Sequence, residues 1–272
     1  MALRIQNNVE AFNAHRNLTG TEDRLATSME RLSSGYRINR AADDAAGLAI
    51  SERLRGQIGG LDQAQRNVQD AISLVQTAEG SLTEVHAMLH RIRDLAVQYK
   101  NGSLSSNARL AIQSEVNQLA SEIERIGAAA EFNGIKVLNT TQTLSFQVGA
   151  QDGQVISMSL ISLSATTGGI GVSYFGLSTT GQTDIGEIDA AIDVVSAQRS
   201  TFGAIQNRLG YTLENAAIYQ ENLTASESRV RDVDMAKEMV NFTKLQILQQ
   251  SGTAMVAQAN QLPQSVLQLL QG

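Results

Sequence analysis

The 272-residue sequence contains no cysteine and no tryptophan, and only one proline, Pro263. The lack of cysteine excludes disulfides, thiolate metal ligands and cysteine nucleophiles. Because proline breaks helices, and a chain of this length would carry about 13 at average usage, long uninterrupted helices are possible almost everywhere. Aromatic residues make up 4% of the chain and hydrophobic residues 42%. We therefore expect an aliphatic, alanine-rich core, which suits helix packing better than a β-sandwich.

Basic residues are in the minority, with 21 Lys and Arg against 27 Asp and Glu. Nucleic-acid binding needs a clustered basic face, and since no such cluster is present we predict no nucleic-acid partner. The sequence has no run of about 18 apolar residues, and its first ten residues lack the apolar core and small-residue cleavage site of a signal peptide. We predict no membrane association, and either a cytosolic protein or one exported without a cleaved signal.

Apolar residues recur at alternating steps of three and four along most of the chain, which predicts long amphipathic helices packed as coiled coils. The most regular series runs over 188–230, a second over 245–269 and a third over 54–99. A shorter helix is predicted from about Ser105 to 126, packing back as an antiparallel hairpin because the connection is short. A weaker N-terminal stripe consists of Val9, Phe12, Leu18, Leu25, Met29 and Leu32.

Polar residues interrupt two of these series at one repeating heptad position. They are Gln65 and Glu79 in the first half of the chain, and Arg199, Gln206, Gln220 and Glu227 in the second. Buried polar residues at such positions cost stability and determine the register and the number of partners. Alternatively, this position faces solvent in a bundle. Both interpretations predict that the helices of this chain pack against other helices.

Residues 131–184 differ in kind from the helices around them. They hold the turn dipeptides Asn133-Gly134 and Asp152-Gly153. The second dipeptide joins the segments 144–148 and 155–160, which alternate in polarity as the two strands of a β-hairpin do. The predicted fold class is therefore mainly α: long antiparallel helical rods forming a coiled-coil bundle, with a small β-hairpin region in the middle of the chain.

Two short charged segments separate the helical stripes. Residues 33–40 interrupt the first stripe, and Asp43 and Asp44 follow where carboxylates suit the positive end of the next helix dipole. Residues 229–234 carry Arg and Asp at the register change before the last helix. These segments are either structural joins between helices or solvated charge runs.

No constellation of residues indicates catalysis or metal binding. His86 and His90 lie four apart on one helix face, but the metalloprotease pattern needs Glu directly after the first His, where this chain has Ala87, and no third ligand is evident. The segment 176–183 has the spacing of a phosphate-binding loop, yet Gln182 stands where its Lys is required. We predict no catalytic residue, no cofactor and no metal.

Three segments resemble the terminal signatures of bacterial flagellins. Residues 30–51, which begin Glu30-Arg-Leu-Ser-Ser-Gly-Tyr-Arg-Ile-Asn-Arg40, are similar to the N-terminal signature. Residues 222–236, which contain Ser228-Arg-Val-Arg-Asp-Val-Asp234, and the ending 258–272 are similar to the C-terminal one. The resemblance covers 1–140 and 185–272. It implies a structural protein, not an enzyme, that is exported through the flagellar type III channel and self-assembles into the secreted, extracellular filament used for motility.

The resemblance also implies a domain organisation. Residues 1–43 and 234–272 form a terminal coiled-coil domain, and 44–233 form an inner helical bundle that includes the region 131–184. Because only about 50 residues occupy the place where flagellins insert outer domains, these domains are expected to be absent. A terminal apolar seam would expose too much apolar surface on a monomer, so we predict a subunit interface at Leu18, Leu25, Leu32, Leu248, Met255, Leu262 and Leu269.

The resemblance implies partners besides other copies of the chain. They are a flagellar export chaperone at the C-terminal helix, the filament cap and hook-associated proteins, and the Toll-like innate receptor for flagellin. Arg91, Leu95 and Glu115 match the receptor-binding pattern, whereas His90 and Leu119 depart from it.

Two alternative functions use the same helical design. One is a hook-filament junction protein of the same superfamily, and the other is a cytosolic coiled-coil scaffold or signalling module. A scaffold would form an ordered dimer without seeds, whereas a flagellin monomer would elongate filament ends.

Overall fold

The computed structural model describes residues 8–163 and 184–271, with side chains described over 8–163 and 185–261. The segment 164–183, which contains the phosphate-loop-like spacing at 176–183, lies outside the described residues. Five helices and two short antiparallel strand pairs follow one another in the described ranges, which confirms the mainly α prediction. They are α1 (Val9–Ser34), α2 (Ala45–Tyr99), α3 (Ser106–Ala129), β1 (Glu131–Phe132), β2 (Ile135–Lys136), β3 (Thr143–Gln147), β4 (Val155–Ser159), α4 (Asp184–Arg231) and α5 (Met235–Gln271).

None of the described helices has an apolar stretch that could cross a membrane. The described residues group into two compact units. Unit 1 draws on 1–56 and 223–272, and unit 2 on 57–222. The predicted domain boundaries, at 43/44 and 233/234, fall inside unit 1.

Short polar side chains and glycine mark the helix ends at the predicted breaks. Gly35 ends α1 in the left-handed conformation, with φ 76°, and its N–H donates to the Arg31 carbonyl. At the start of α2, Asp44 Oδ1 accepts a hydrogen bond of 2.8 Å from the Gly47 N–H. Ser105 caps α3. The break after α1 thus follows from residues whose side chains or backbones stop one helix and begin another.

The α2–α3 turn does not use a left-handed glycine. The φ of Gly102 lies outside the positive range. Asn101 shapes the turn instead: its N–H donates to the Gln98 carbonyl, and its Oδ1 accepts from the Ser103 N–H. An Asx side chain can replace glycine here because it supplies its own turn hydrogen bond.

Unit 2 has one aliphatic core, to which α2, α3, α4 and the β3–β4 hairpin contribute. The α2–α3 pair is antiparallel, since Arg109 lies over the Tyr99 ring and Arg91 pairs with Glu115 further along. The predicted heptad positions supply the fully buried side chains. These include Val68, Val75, Leu82, Val85, Leu89, Ile92, Val116, Ile123, Ile188, Val195, Phe202 and Leu209.

Both predicted turn dipeptides form antiparallel hairpins. Asn133 and Gly134 have positive φ angles of 49° and 78°, the conformation of a type I′ turn between β1 and β2. Gly153, with φ 82°, lies between β3 and β4. In β4, Ile156 and Met158 are buried and their neighbours are exposed, so the strand alternates as predicted.

The polar heptad positions of α2 and α4 lie opposite each other in unit 2. Gln65 Nε2 donates to Gln220 Oε1 at 2.6 Å, and Arg199 Nη2 lies 3.9 Å from Glu79 Oε1. All four side chains are half-buried. A slip of one heptad would separate both pairs at once. The packing therefore favours the register-fixing interpretation over simple exposure to solvent.

Candidate assembly interface

In unit 1 the N-terminal and C-terminal helices pack against each other along what we call the terminal seam. On both helices its members alternate at steps of three and four and are less exposed than their neighbours. On α1 they are Ala11, Ala14, Leu18, Thr21, Leu25, Ser28 and Leu32. On α5 they are Glu238, Phe242, Leu245, Gln249, Gly252, Val256 and Ala259.

Three contacts define the antiparallel register of the terminal seam. Near one end, Asn8 Nδ2 donates to the Ala259 carbonyl at 2.7 Å. In the middle, a Cβ added at Gly252 would lie 3.1 Å from Leu18 Cδ1, so only a small residue lets the helices approach this closely.

At the other end of the seam, the Ser28 hydroxyl donates to Glu238 Oε1. Both side chains are buried, Ser28 at 2% exposure and Glu238 at 9%. The sequence prediction did not include this pair, because on α1 and α5 it rested on apolar residues. The signal was present, since Glu238 lies one heptad before Leu245 and Ser28 lies between Leu25 and Leu32 at steps of three and four.

The predicted interface residues divide into three groups. Leu18, Leu25 and Leu32 are half-buried in the terminal seam. Leu248 and Met255 lie beside it and are 45% and 63% exposed. Leu262 and Leu269 belong to the part of α5 whose side chains are not described. Leu248 and Met255 therefore do not pack against the α1 leucines within the chain.

Leu248 and Met255 lie one position away from the seam. Leu18 of α1 contacts Gly252 of α5, and Leu245 and Ala259 are buried in the same seam. The residues that alternate with these three are Gln249 and Val256. Each follows Leu248 or Met255 by one residue, so those two side chains are left outside.

Many large apolar side chains of α1 and α5 remain exposed in unit 1. On α1, Val9, Phe12 and Met29 are 55%, 70% and 55% exposed, so the predicted N-terminal stripe is only partly an inward face. On α5 the exposed apolar residues are Met235, Met239, Val240, Ile247, Leu248 and Met255. Apolar side chains left uncovered in such numbers are typical of a surface that another chain covers.

The two charged joins meet in unit 1. Tyr36 and Asp232 form a β-bridge, and the Arg37 N–H donates to the Arg231 carbonyl at 2.7 Å. The Arg231 guanidinium lies 4.8 Å from the centre of the Tyr36 ring and 2.7 Å from Glu52 Oε1. The hydrogen bond from Arg231 is the main reason why the pKa of Glu52 is lowered. These segments are structural joins rather than solvated charge runs.

The three residues that match the receptor pattern differ in accessibility. Arg91 on α2 donates to Glu115 Oε1 on α3 from both Nε and Nη2, at 3.0 and 2.7 Å, and both side chains are exposed. Leu95 is only 2% exposed, within the core of unit 2. A direct receptor contact by Leu95 is therefore not available in this structure, because the core covers its side chain.

Among the residues with described side chains, no group of three or more His, Cys, Asp and Glu could hold a metal ion. The described residues form a helical subunit whose first and last helices pack against each other and carry exposed apolar side chains. That combination defines the class of self-assembling helical subunits.

The comparisons with known proteins identify the family. Residues 5–143 match the family model for the bacterial flagellin N-terminal helical region, and residues 185–270 match that for the C-terminal helical region. The chain belongs to the bacterial flagellin family. It is 51% identical over 269 residues to the flagellin of Halalkalibacterium halodurans, covering 98% of this chain and 99% of that protein. It is 46% identical to the flagellin of Bacillus subtilis, covering 98% and 100%.

A solved structure is also similar. The crystal structure of Bacillus cereus flagellin matches 56% of this chain and 88% of that chain at 32% identity, with a TM-score of 0.49.

The chain is thus a structural subunit of the extracellular bacterial flagellar filament and not an enzyme. The predicted absence of outer domains is confirmed as well, because the H. halodurans flagellin aligns over nearly its whole length with this short chain. The 51% identity to a flagellin over 98% of the chain favours the filament subunit over the hook-filament junction protein and the cytosolic scaffold.

Proposed function

We propose that subunits of the filament contact one another through the exposed apolar residues of α1 and α5, with Leu248 and Met255 among the contacts. The observation that carries this proposal is the exposure of these side chains beside the terminal seam. Leu248 and Met255 are about half exposed to water in the monomer, and burying the exposed part of each against another copy would stabilise the assembly by about 1–2 kcal/mol. Leu262 and Leu269 are proposed to continue the same contact.

Before assembly, the exposed apolar residues would need to be covered. The chain would also need to leave the cell. The proposal includes export through the flagellar type III channel and an export chaperone that covers the apolar residues of α5, since an amphipathic helix binds well in an apolar groove. The absence of cysteine supports passage of an unfolded chain, because no disulfide can close it. At the filament ends, the filament cap and hook-associated proteins are proposed to contact the same helices.

Seeded elongation tests the proposal. Purified monomer added to short flagellar seeds at neutral pH should give long thin filaments in negative-stain electron microscopy. Helix content, followed by circular dichroism, should rise if the helix ends become ordered on assembly. A monomer or dimer that never elongates seeds would contradict the proposal.

We further propose that unit 2 is recognised by the Toll-like innate receptor for flagellin. Support comes from the exposed Arg91–Glu115 pair, in which a planar guanidinium and a carboxylate lie side by side on adjacent helices. Leu95 would contribute by supporting α2 from the core, since its side chain is buried.

A receptor-reporter assay should separate these roles. We expect Arg91→Ala to lower the response to monomer at least about tenfold, as loss of an interface Arg hot spot does, while thermal stability changes little because the pair is exposed. Leu95→Ala should instead lower the melting temperature, through a cavity that costs about 2–5 kcal/mol. Equal reporter responses to wild type and Arg91→Ala would contradict the proposed contact.

A further inference from the structure

Two histidine side chains on α2 lie in contact in unit 2. The Nε2 atoms of His86 and His90 are 2.9 Å apart, and the ring centroids are 4.5 Å apart with 69° between the ring planes. Their spacing of four residues places both rings on one face of the helix. The centroids are closer than they would be if the two nitrogens met head-on, so the rings meet at an angle. His90 is exposed and His86 is half-buried.

At 2.9 Å the two rings are hydrogen-bonded to each other, so both Nε2 atoms already converge on one point beside the helix. A metal ion at that point would replace the shared proton. The separation is close to the distance of about 2.9 Å between neighbouring donors in a square plane, whereas two tetrahedral ligands lie about 3.3 Å apart. Cu²⁺ and Ni²⁺ favour such tetragonal nitrogen and oxygen shells, and Zn²⁺ favours the tetrahedral one.

Two features of the surroundings limit the affinity. The Arg199 guanidinium repels any cation held by His86. Binding through Nε2 also places the ring proton on Nδ1, which is buried and has no hydrogen-bond partner among the described side chains. We therefore expect micromolar binding, weaker than at sites with three protein ligands.

We propose that His86 and His90 form a two-histidine chelate for Cu²⁺, and more weakly for Ni²⁺, with water completing the coordination shell. The site is neither a catalytic nor a structural zinc centre, since no third carboxylate, histidine or cysteine joins it among the described residues. It is independent of the proposed filament contacts, because both rings lie in unit 2.

Calorimetric titration of full-length monomer with CuCl₂ at pH 7 tests this site. We expect one ion per chain, with an electron paramagnetic resonance spectrum of tetragonal Cu²⁺ bound to nitrogen. His86→Gln and His90→Gln should each lower the affinity at least about tenfold, because either one removes the chelate. His15→Gln is the matched control: it replaces the only other histidine of the chain, and binding should not change.

Melting temperatures and a variant of Arg199 provide two further tests of the site. Cu²⁺ should raise the melting temperature of wild type and of His15→Gln, but not of His90→Gln, because only the folded helix brings the two rings together. Arg199→Gln should tighten binding several-fold, and circular dichroism checks its fold. Wild-type affinity in either α2 variant would overturn the proposal, and so would tighter binding of Zn²⁺ than of Cu²⁺.

Discussion

Filament elongation is expected to stop at ordinary subunit concentrations when Leu248 and Met255 are both replaced by glutamine. Both side chains lie outside the terminal seam and are 45% and 63% exposed in the monomer, so Leu248→Gln with Met255→Gln should leave the monomer's fold intact. If another subunit buries the exposed half of each side chain, the loss is about 1.5–3 kcal/mol for the two, and each glutamine amide left unpaired in the contact costs about 1–3 kcal/mol more. Since 1.4 kcal/mol is a factor of ten, the critical concentration, measured by sedimentation after seeding, should rise at least about 100-fold.

A conservative exchange provides the control for this experiment. Leu248→Met with Met255→Leu keeps both positions apolar and nearly constant in volume, so elongation should stay within a few-fold of wild type. Circular dichroism of all three monomers should agree. If the glutamine variant elongates at the wild-type critical concentration, then Leu248 and Met255 are not subunit contacts.

The sequence predicted the helices of unit 2 well because one partner buries most of their apolar residues. In α2 and α4 nearly every apolar heptad residue faces the same core, so spacing and burial agree, as at Leu82 and Phe202. In α5 the same method failed at two positions, Leu248 and Met255. Spacing identifies apolar residues but not the partner that buries them, so these two were assigned to a seam that contains Gln249 and Val256 instead.

Contacts between distant parts of the chain were the other features that spacing could not predict. Arg231 and Glu52 are 179 residues apart in sequence and bond only because the two joins meet in unit 1.

The burial of Leu95, by contrast, was predictable. It directly precedes Ala96, a member of the α2 heptad series, and it follows Ile92 by three residues. A residue in that position on a helix is on the core side rather than on the binding surface.

The register of the terminal seam can be tested by cross-linking, because the chain has no cysteine of its own. A Cβ at Gly252 would lie 3.8 Å from Leu18 Cβ, within the range of about 3.5–4.5 Å found in disulfides. Leu18→Cys with Gly252→Cys should therefore oxidise almost completely within one chain and stabilise unit 1 by about 2–4 kcal/mol. Non-reducing electrophoresis and thermal melting measure the two effects.

The matched control moves one cysteine by a heptad. Leu25→Cys with Gly252→Cys displaces the sulfurs by about 10 Å along the helix, which is beyond disulfide reach, so little cross-link should form within a chain. If the buried Ser28–Glu238 pair helps to hold this register, Ser28→Ala should increase the control cross-link, because the hydroxyl that bonds Glu238 is gone.

Oxidised Leu18→Cys/Gly252→Cys monomer should still elongate seeds, since the seam is within one chain and the proposed contacts lie beside it. Disulfide-linked dimers in filaments assembled from the reduced variant would instead show that α1 and α5 exchange partners between subunits.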